Sequence, residues 1–171
     1  MVYEFDKENS ASKPAARLTI AGGITYNTNM SADHIVLDTN VLIAALRSRH
    51  GAAYKLLWLL GSEKFTVHIS VPLVLEYEDV ALRMVGQSAL TPEDIDAILD
   101  YICSVAVHHK VFYLWRPFLP DPSDDMVLEL AVAGRCNFIV TYNQKDFIGI
   151  EQFGIQAITP QAFLKRIGAS P

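Results

Sequence analysis

From residue 34 to the C-terminus, short apolar runs rich in β-branched residues alternate with helix-length segments, and this alternation leaves few folds open. In His34-Ile35-Val36-Leu37 every residue after the first is apolar. Such a run suits a strand covered on both faces, where no polar alternation is needed. Similar short runs lie at 67–70, 110–114, 138–141 and 155–158. Between them the pattern predicts helices at 40–47, 52–60, 71–84, 92–105, 121–134 and 160–167. Pro72 falls in a first turn, where proline is tolerated. Thr91-Pro92-Glu93-Asp94 reads as an N-cap, a proline and an acidic first turn, and Thr159-Pro160 caps the last helix. Parallel strands need long crossovers, which helices supply. The expected fold is therefore α/β, a three-layer α/β/α arrangement around a central parallel sheet.

Residues 1–33 have a different texture, polar and broken by Pro14, Gly22-Gly23, Asn27 and Asn29. They are expected to form an N-terminal extension with two short strands, at 18–20 and 24–26. The domain itself is expected to span 34–168, and Met30 is an alternative start. The acids in Met1 to Glu8 do not fit a secretory signal. No apolar run approaches the ~18 residues of a membrane span. A cytoplasmic location with no membrane contact is the expectation.

With 51% hydrophobic and 19% charged residues, the chain has the balance of a globular protein. Its net charge of −5 argues against a general polyanion binder unless the acids have a task. Cys103 and Cys136 have no partner at metal-ligand spacing. His34, His50, His68, His108 and His109 read as scattered, structural or surface residues. Four basic residues, Arg47, Arg49, Arg116 and Lys145, are candidates to grip phosphates.

In open parallel sheets, sites form beyond the carboxyl ends of the strands. Asp38, followed by Thr39 and Asn40, closes the first strand. Glu76 lies in the helix after the second strand, at the rim of the apolar face of Leu73, Tyr77, Val80 and Met84. Asp121, Asp124 and Asp125 precede and open the helix after the third strand. Thr141, Asn143 and Asp146 follow the fourth. Taken singly, each has an ordinary use: Asp38 as a helix cap, Asp124 and Asp125 as acids at a helix N-terminus, Glu76 as a solvated charge. Together they conflict, because close carboxylates repel by ~4 kcal/mol per pair at an effective dielectric of 20. Such a cluster shifts its pKa values or binds cations. Oxygen ligands alone select a hard ion, Mg²⁺ or Mn²⁺.

Four segments resemble, in order, the motifs of PIN domains: Ile35-Val36-Leu37-Asp38-Thr39-Asn40, Val71-Pro72-Leu73-Val74-Leu75-Glu76-Tyr77, Asp121-Pro122-Ser123-Asp124-Asp125, and Phe138-Ile139-Val140-Thr141-Tyr142-Asn143 continuing through Asp146. The likeness spans about residues 34–167 and is greatest to the VapC-like toxins of toxin–antitoxin pairs. It implies a metal-dependent endonuclease of single-stranded RNA, often dimeric and held inactive by an antitoxin protein. Asp38, Glu76 and Asp125 match the three metal-binding acids, with Asp124 the near alternative to Asp125. Asn143 stands where many members carry an acid, and Asp146 can serve instead. Asn40 and Thr141 match groups that orient the acids. Leu56, Leu57, Trp58 and Leu60 exceed what one helix face buries; a buried core helix is the favoured reading of this segment, and a homodimer or antitoxin contact is the alternative.

Two other classes compete. A PIN-like module acting only through protein partners is favoured by Asn143. A phosphohydrolase that forms an aspartyl phosphate is disfavoured, because no second aspartate lies two residues after Asp38. No glycine-rich turn follows the first strand, which argues against dinucleotide binding.

Overall fold

The computed structural model describes residues 17–19, 25–27, 32–86, 90–111 and 117–169. The chain divides into two units, residues 1–31 and residues 32–171. In the first, β1 (Arg17–Thr19) and β2 (Thr25–Asn27) pair antiparallel, with Leu18 opposite Tyr26. Both lie within one residue of the strands expected from sequence.

The second unit runs β3 (Asp33–Leu37), α1 (Thr39–Arg47), α2 (Ala52–Trp58), β4 (Phe65–Ser70), α3 (Val71–Leu82), α4 (Pro92–Val105), β5 (Val107–His109), α5 (Asp125–Ala133), β6 (Phe138–Val140), β7 (Gln156–Ile158) and α6 (Pro160–Arg166). Two single-turn 3₁₀ helices, Gln144–Phe147 and Ile150–Phe153, sit between β6 and β7. The five strands form one parallel sheet in the order β5-β4-β3-β6-β7. This is the three-layer α/β/α arrangement that the alternation of strands and helices predicts.

Side-chain alternation along β4 separates the two faces. Phe65 points to one face and meets the Phe163 ring of α6, 5.5 Å away and edge-on. His68, three residues on, points to the other face and lies under the end of α5. A Cβ on Gly134, just past α5, would stand 2.7 Å from His68 Nδ1, so only glycine fits there. α5 therefore covers one face of the sheet and α6 the other. Ile35, Val36, Val67, Ile69, Ile139 and Val140 are buried between the layers.

Two element boundaries expected from sequence are corrected. The third strand of the sheet is Val107–His109, not 110–114. Thr91 caps α4 with a full capping box, and the helix ends at Val105 after fourteen residues, so the chain re-enters the sheet at once. Lys110 and Val111 lie beyond that strand, and 112–114 fall outside the described residues. The helix expected from Asp121 begins instead at Asp125. Before it, Asp121 is used in a turn, where its Oδ1 accepts from the Ser123 amide (2.9 Å) and hydroxyl (2.6 Å).

The histidines are not scattered. His34 of β3, His68 of β4 and His109 of β5 form a chain across three adjacent strands. His34 Nδ1 lies 2.7 Å from His68 Nε2, and His68 Nδ1 lies 2.7 Å from His109 Nε2. The residues are far apart in sequence, and only strand order brings them together. Burial pushes the His68 pKa down to about 4, with the neighbouring charges of His109 and His34 adding to the effect. The unfolded chain takes up a proton near pH 6.5, whereas folded His68 resists until about pH 4. Its contribution to stability is thus complete above about pH 6.5 and is lost as pH falls towards 4. We expect His68→Gln to lie below wild type in stability at pH 7.5. The gap should narrow by about 1–3 kcal/mol by pH 5 in urea melts of both proteins. Parallel stability–pH curves would contradict this.

Candidate active site

The strand order reverses direction at β3: the chain steps outward through β4 and β5, then returns to pair β6 on the other side. Ligand sites in open α/β sheets form at such a switch, beyond the strand ends. Asp38 and Thr141 leave the sheet there, from β3 and β6. The Asp38 amide donates to Val140 O (3.0 Å), which locks the two strand ends together.

Asp38 occupies the N-cap position of α1, yet its carboxylate forms no capping hydrogen bond. The Thr141 hydroxyl donates to Oδ2 (2.6 Å), and so does Asn40 Nδ2 (2.6 Å). Asn40 Nδ2 also reaches Thr141 Oγ1 (3.0 Å), and Asn40 Oδ1 accepts from the Tyr142 amide (3.2 Å). The Asn143 amide closes the set onto Thr141 Oγ1 (2.9 Å). The buried Asp38 carboxyl is thereby held in one orientation. Burial raises its pKa. Thr141 and the nearby Asn40 and Thr39 amides temper that rise, and the Glu76 charge adds to it.

Pro72 starts α3 at a strand end, and one turn later Glu76 comes half-buried at the same edge. Its Oε2 is buried and has no hydrogen-bond partner. A buried, unsatisfied carboxylate oxygen is costly and calls for an explanation. Next to it, fully buried Tyr77 donates its hydroxyl to Leu37 O, tying α3 to the end of β3. Tyr77→Phe would leave that carbonyl without its partner, and we expect a stability loss of about 1–2 kcal/mol in chemical denaturation.

Asp124 and Asp125 part company. Asp125 is buried, and its carboxylate accepts from the amides of Leu119 (2.9 Å) and Phe118 (3.3 Å). It anchors the loop that enters α5. Asp124 stands at the N-cap of α5 without capping it. Its pKa is pushed up to about 7, first by burial and then by the charges of Asp38, Asp121, Asp146 and Glu76. Asp124 therefore feels the acids around it, while the Asp125 carboxylate is taken up by two backbone amides. Asp146, in the first 3₁₀ turn, is half-buried, and Asn143 is exposed.

The structure thus sets Asp124 within electrostatic reach of Asp38, Asp121, Asp146 and Glu76, and Asp38 within reach of Glu76. Among the described residues, no group of three or more histidine, cysteine or acidic side chains stands ready-made as a metal cage. The donors nevertheless suit a hard divalent cation. They are all oxygens, they repel one another, and one is buried without a partner. Sequence reasoning passed over two further polar groups: Thr39 Oγ1 and Ser70 Oγ, at the ends of β3 and β4, are also buried without partners. Of the basic candidates, Arg47, Arg49 and Lys145 are exposed, and Arg116 lies outside the described residues.

The PIN domain family model matches residues 34–145, nearly two thirds of the chain. The chain belongs to the PIN domain family. A search of curated proteins finds no match. Among solved structures, this PIN domain resembles VapBC2 from Rickettsia felis, crystallised bound to a DNA fragment from its promoter. The identity is 19%, the TM-score 0.51, and the match covers 72% of this chain and 98% of that one. It also resembles PAE2754 from Pyrobaculum aerophilum, at 16% identity and TM-score 0.54, covering 81% and 97%. These likenesses confirm the fold. Among the described residues no helix is long and apolar enough to cross a membrane.

Proposed function

We propose that this PIN domain is an endoribonuclease of single-stranded RNA, with Mg²⁺ or Mn²⁺ held by Asp38, Glu76 and Asp124. The observation that carries the reading is the meeting of uncapped Asp38, orphaned Glu76 and uncapped Asp124 at the switch point of the sheet. PIN domains are generally nucleases, and family membership supports a phosphodiester hydrolase. When bound, the cation would lower the pKa of an attacking water and offset charge on the phosphate.

The chain's own residues supply positioning. Thr141 and Asn40 fix Oδ2 of Asp38, so the carboxylate need not reorganise during reaction. Asp146 adds negative charge at the rim and can hold a second ion or a water. Asp125 acts at one remove: by gripping the Phe118 and Leu119 amides it sets where α5, and hence Asp124, begins. Exposed Lys145, in the same 3₁₀ turn as Asp146, can meet a flanking phosphate.

A toxin role, with an antitoxin protein as cognate partner and a second copy as a further one, is part of this proposal. It is supported by the likeness to VapBC2. Leu56 and Leu60 are buried and Leu57 half-buried, which leaves Trp58 as the exposed apolar residue of that segment. The test is cleavage of a mixed-sequence single-stranded RNA in Mn²⁺, abolished by chelator and restored by added ion. No cleavage, together with no Mn²⁺ binding by calorimetry, would instead leave a PIN module that works by protein contact, the reading that Asn143 favours.

A further inference from the structure

Away from the acids, the turn between α1 and α2 opens a groove of about 440 Å³ lined by Arg49, His50, Gly51, Tyr54, Lys55 and Trp58. We propose that this groove is a second contact for single-stranded RNA, where a base stacks on Trp58 and its neighbouring phosphates meet Lys55 and Arg49. The proposal rests on the nuclease reading only in taking that RNA to be the substrate strand.

Three observations carry it. The first is the ring. Trp58 is 77% exposed and stacks on Tyr54, with ring centroids 6.5 Å apart and planes 22° from parallel. One helical turn separates the two residues, so α2 itself holds the pair. An indole held on one side and open to solvent on the other is a stacking platform, and every base has a face to offer it. The second is charge. In a chain of net charge −5, the lining carries Arg49, Lys55 and His50 and no acid. Asp94, in the first turn of α4, feels this edge: its carboxyl is held down chiefly by Thr91 and in small part by Arg49. The third is reach. α1 begins at Thr39, beside Asp38, and ends at Arg47, two residues before Arg49, so about one helix length, ~13 Å, separates Asp38 from the start of the groove. A strand crossing the acid cluster can extend to it.

Aromatic faces interleaved with cations suit a single strand, because bases in a duplex are already stacked and cannot spread onto an indole. The cluster of acids repels phosphate until cations bind. A separate basic platform therefore explains how an acidic protein could hold RNA at all.

The test uses the full chain carrying Asp38→Asn, so that RNA is bound and not consumed. Fluorescence anisotropy with an end-labelled, mixed-sequence single-stranded RNA is compared for this parent and for added Trp58→Ala or Lys55→Ala. Trp58 is exposed and Lys55 half-buried, and thermal melts check that folding is unchanged. Trp58→Ala should weaken binding about tenfold or more. Lys55→Ala should lower the slope of log affinity against log salt by about one. A duplex of the same sequence should bind these variants and the parent alike. If both variants hold the single strand within twofold of the parent, the proposal is overturned and the groove is left for a protein partner. An equal loss for duplex and single strand would also overturn the stacking claim. Cleavage in the Asp38 wild-type background is read separately: its absence would sink the nuclease reading without touching the anisotropy result.

Discussion

Asp38→Asn is expected to remove RNA cleavage, by a factor of roughly 10² to 10⁴, while leaving the fold intact. Several kcal/mol of transition-state stabilisation come from a bound cation, and each 1.36 kcal/mol is tenfold in rate. Asparagine keeps the shape of the side chain and one oxygen, so Thr141 and Asn40 still have a partner after a side-chain flip. It loses the charge that holds the ion. Burial raises the pKa of the native carboxyl, so the uncharged substitute should fold at least as well as wild type in the absence of metal. The measurements are single-turnover cleavage in Mn²⁺ and calorimetric Mn²⁺ titration. Cleavage at the wild-type rate with Asn at this position would end the proposed mechanism.

Asp124→Asn is expected to reverse sign with metal. Without divalent ions at pH 8, the variant should be more stable than wild type by about 1–3 kcal/mol, because the acid on which the charges of Asp38, Asp121, Asp146 and Glu76 converge is gone. The sign follows from the raised pKa: a carboxyl pushed up to about 7 from 3.8 costs stability wherever the unfolded chain is ionised and the folded site resists. The position is only half-buried, so solvent screening keeps the figure below the full shift. With saturating Mn²⁺ the order should invert, since wild type gains binding energy that the variant lacks. Asp125→Asn should behave differently. It weakens the hold on the Phe118 and Leu119 amides and should destabilise the protein with or without metal. If Asp125→Asn abolishes Mn²⁺ binding while Asp124→Asn does not, Asp125 is the ligand and the assignment proposed here is wrong.

The contrast between Asp124 and Asp125 also shows where sequence reasoning stops. The two are adjacent, share a charge and open the same helix. Motif spacing favours Asp125, but spacing says nothing about which way a side chain points. That was decided by the chain at 118–119, which offers two amides to Asp125 and leaves Asp124 facing the other acids. Asp38 carries the same lesson. Its place at the head of a helix suggests a cap, and only strand pairing with β6, 103 residues on, brings Thr141 to claim its Oδ2.

The sequence by itself determined the architecture. Uninterrupted apolar runs at 35–37 and 138–140, the capped helix starts at Thr91 and Thr159, and strands separated by helical segments admit little but a covered parallel sheet. That information is local, because periodicity and caps act within a turn or two of chain. Local pattern also placed Asp38 at a strand end and Glu76 at the rim of an apolar helix face. What only tertiary structure decided are the relations between distant segments. The sheet order β5-β4-β3-β6-β7 creates the switch point. It aligns three histidines that sequence reads as scattered, places the third strand at Val107–His109, and leaves Trp58 outside while Leu56 and Leu60 are buried. Each depends on which strands become neighbours and on which side each crossover helix lies, and no local pattern encodes such long-range pairings.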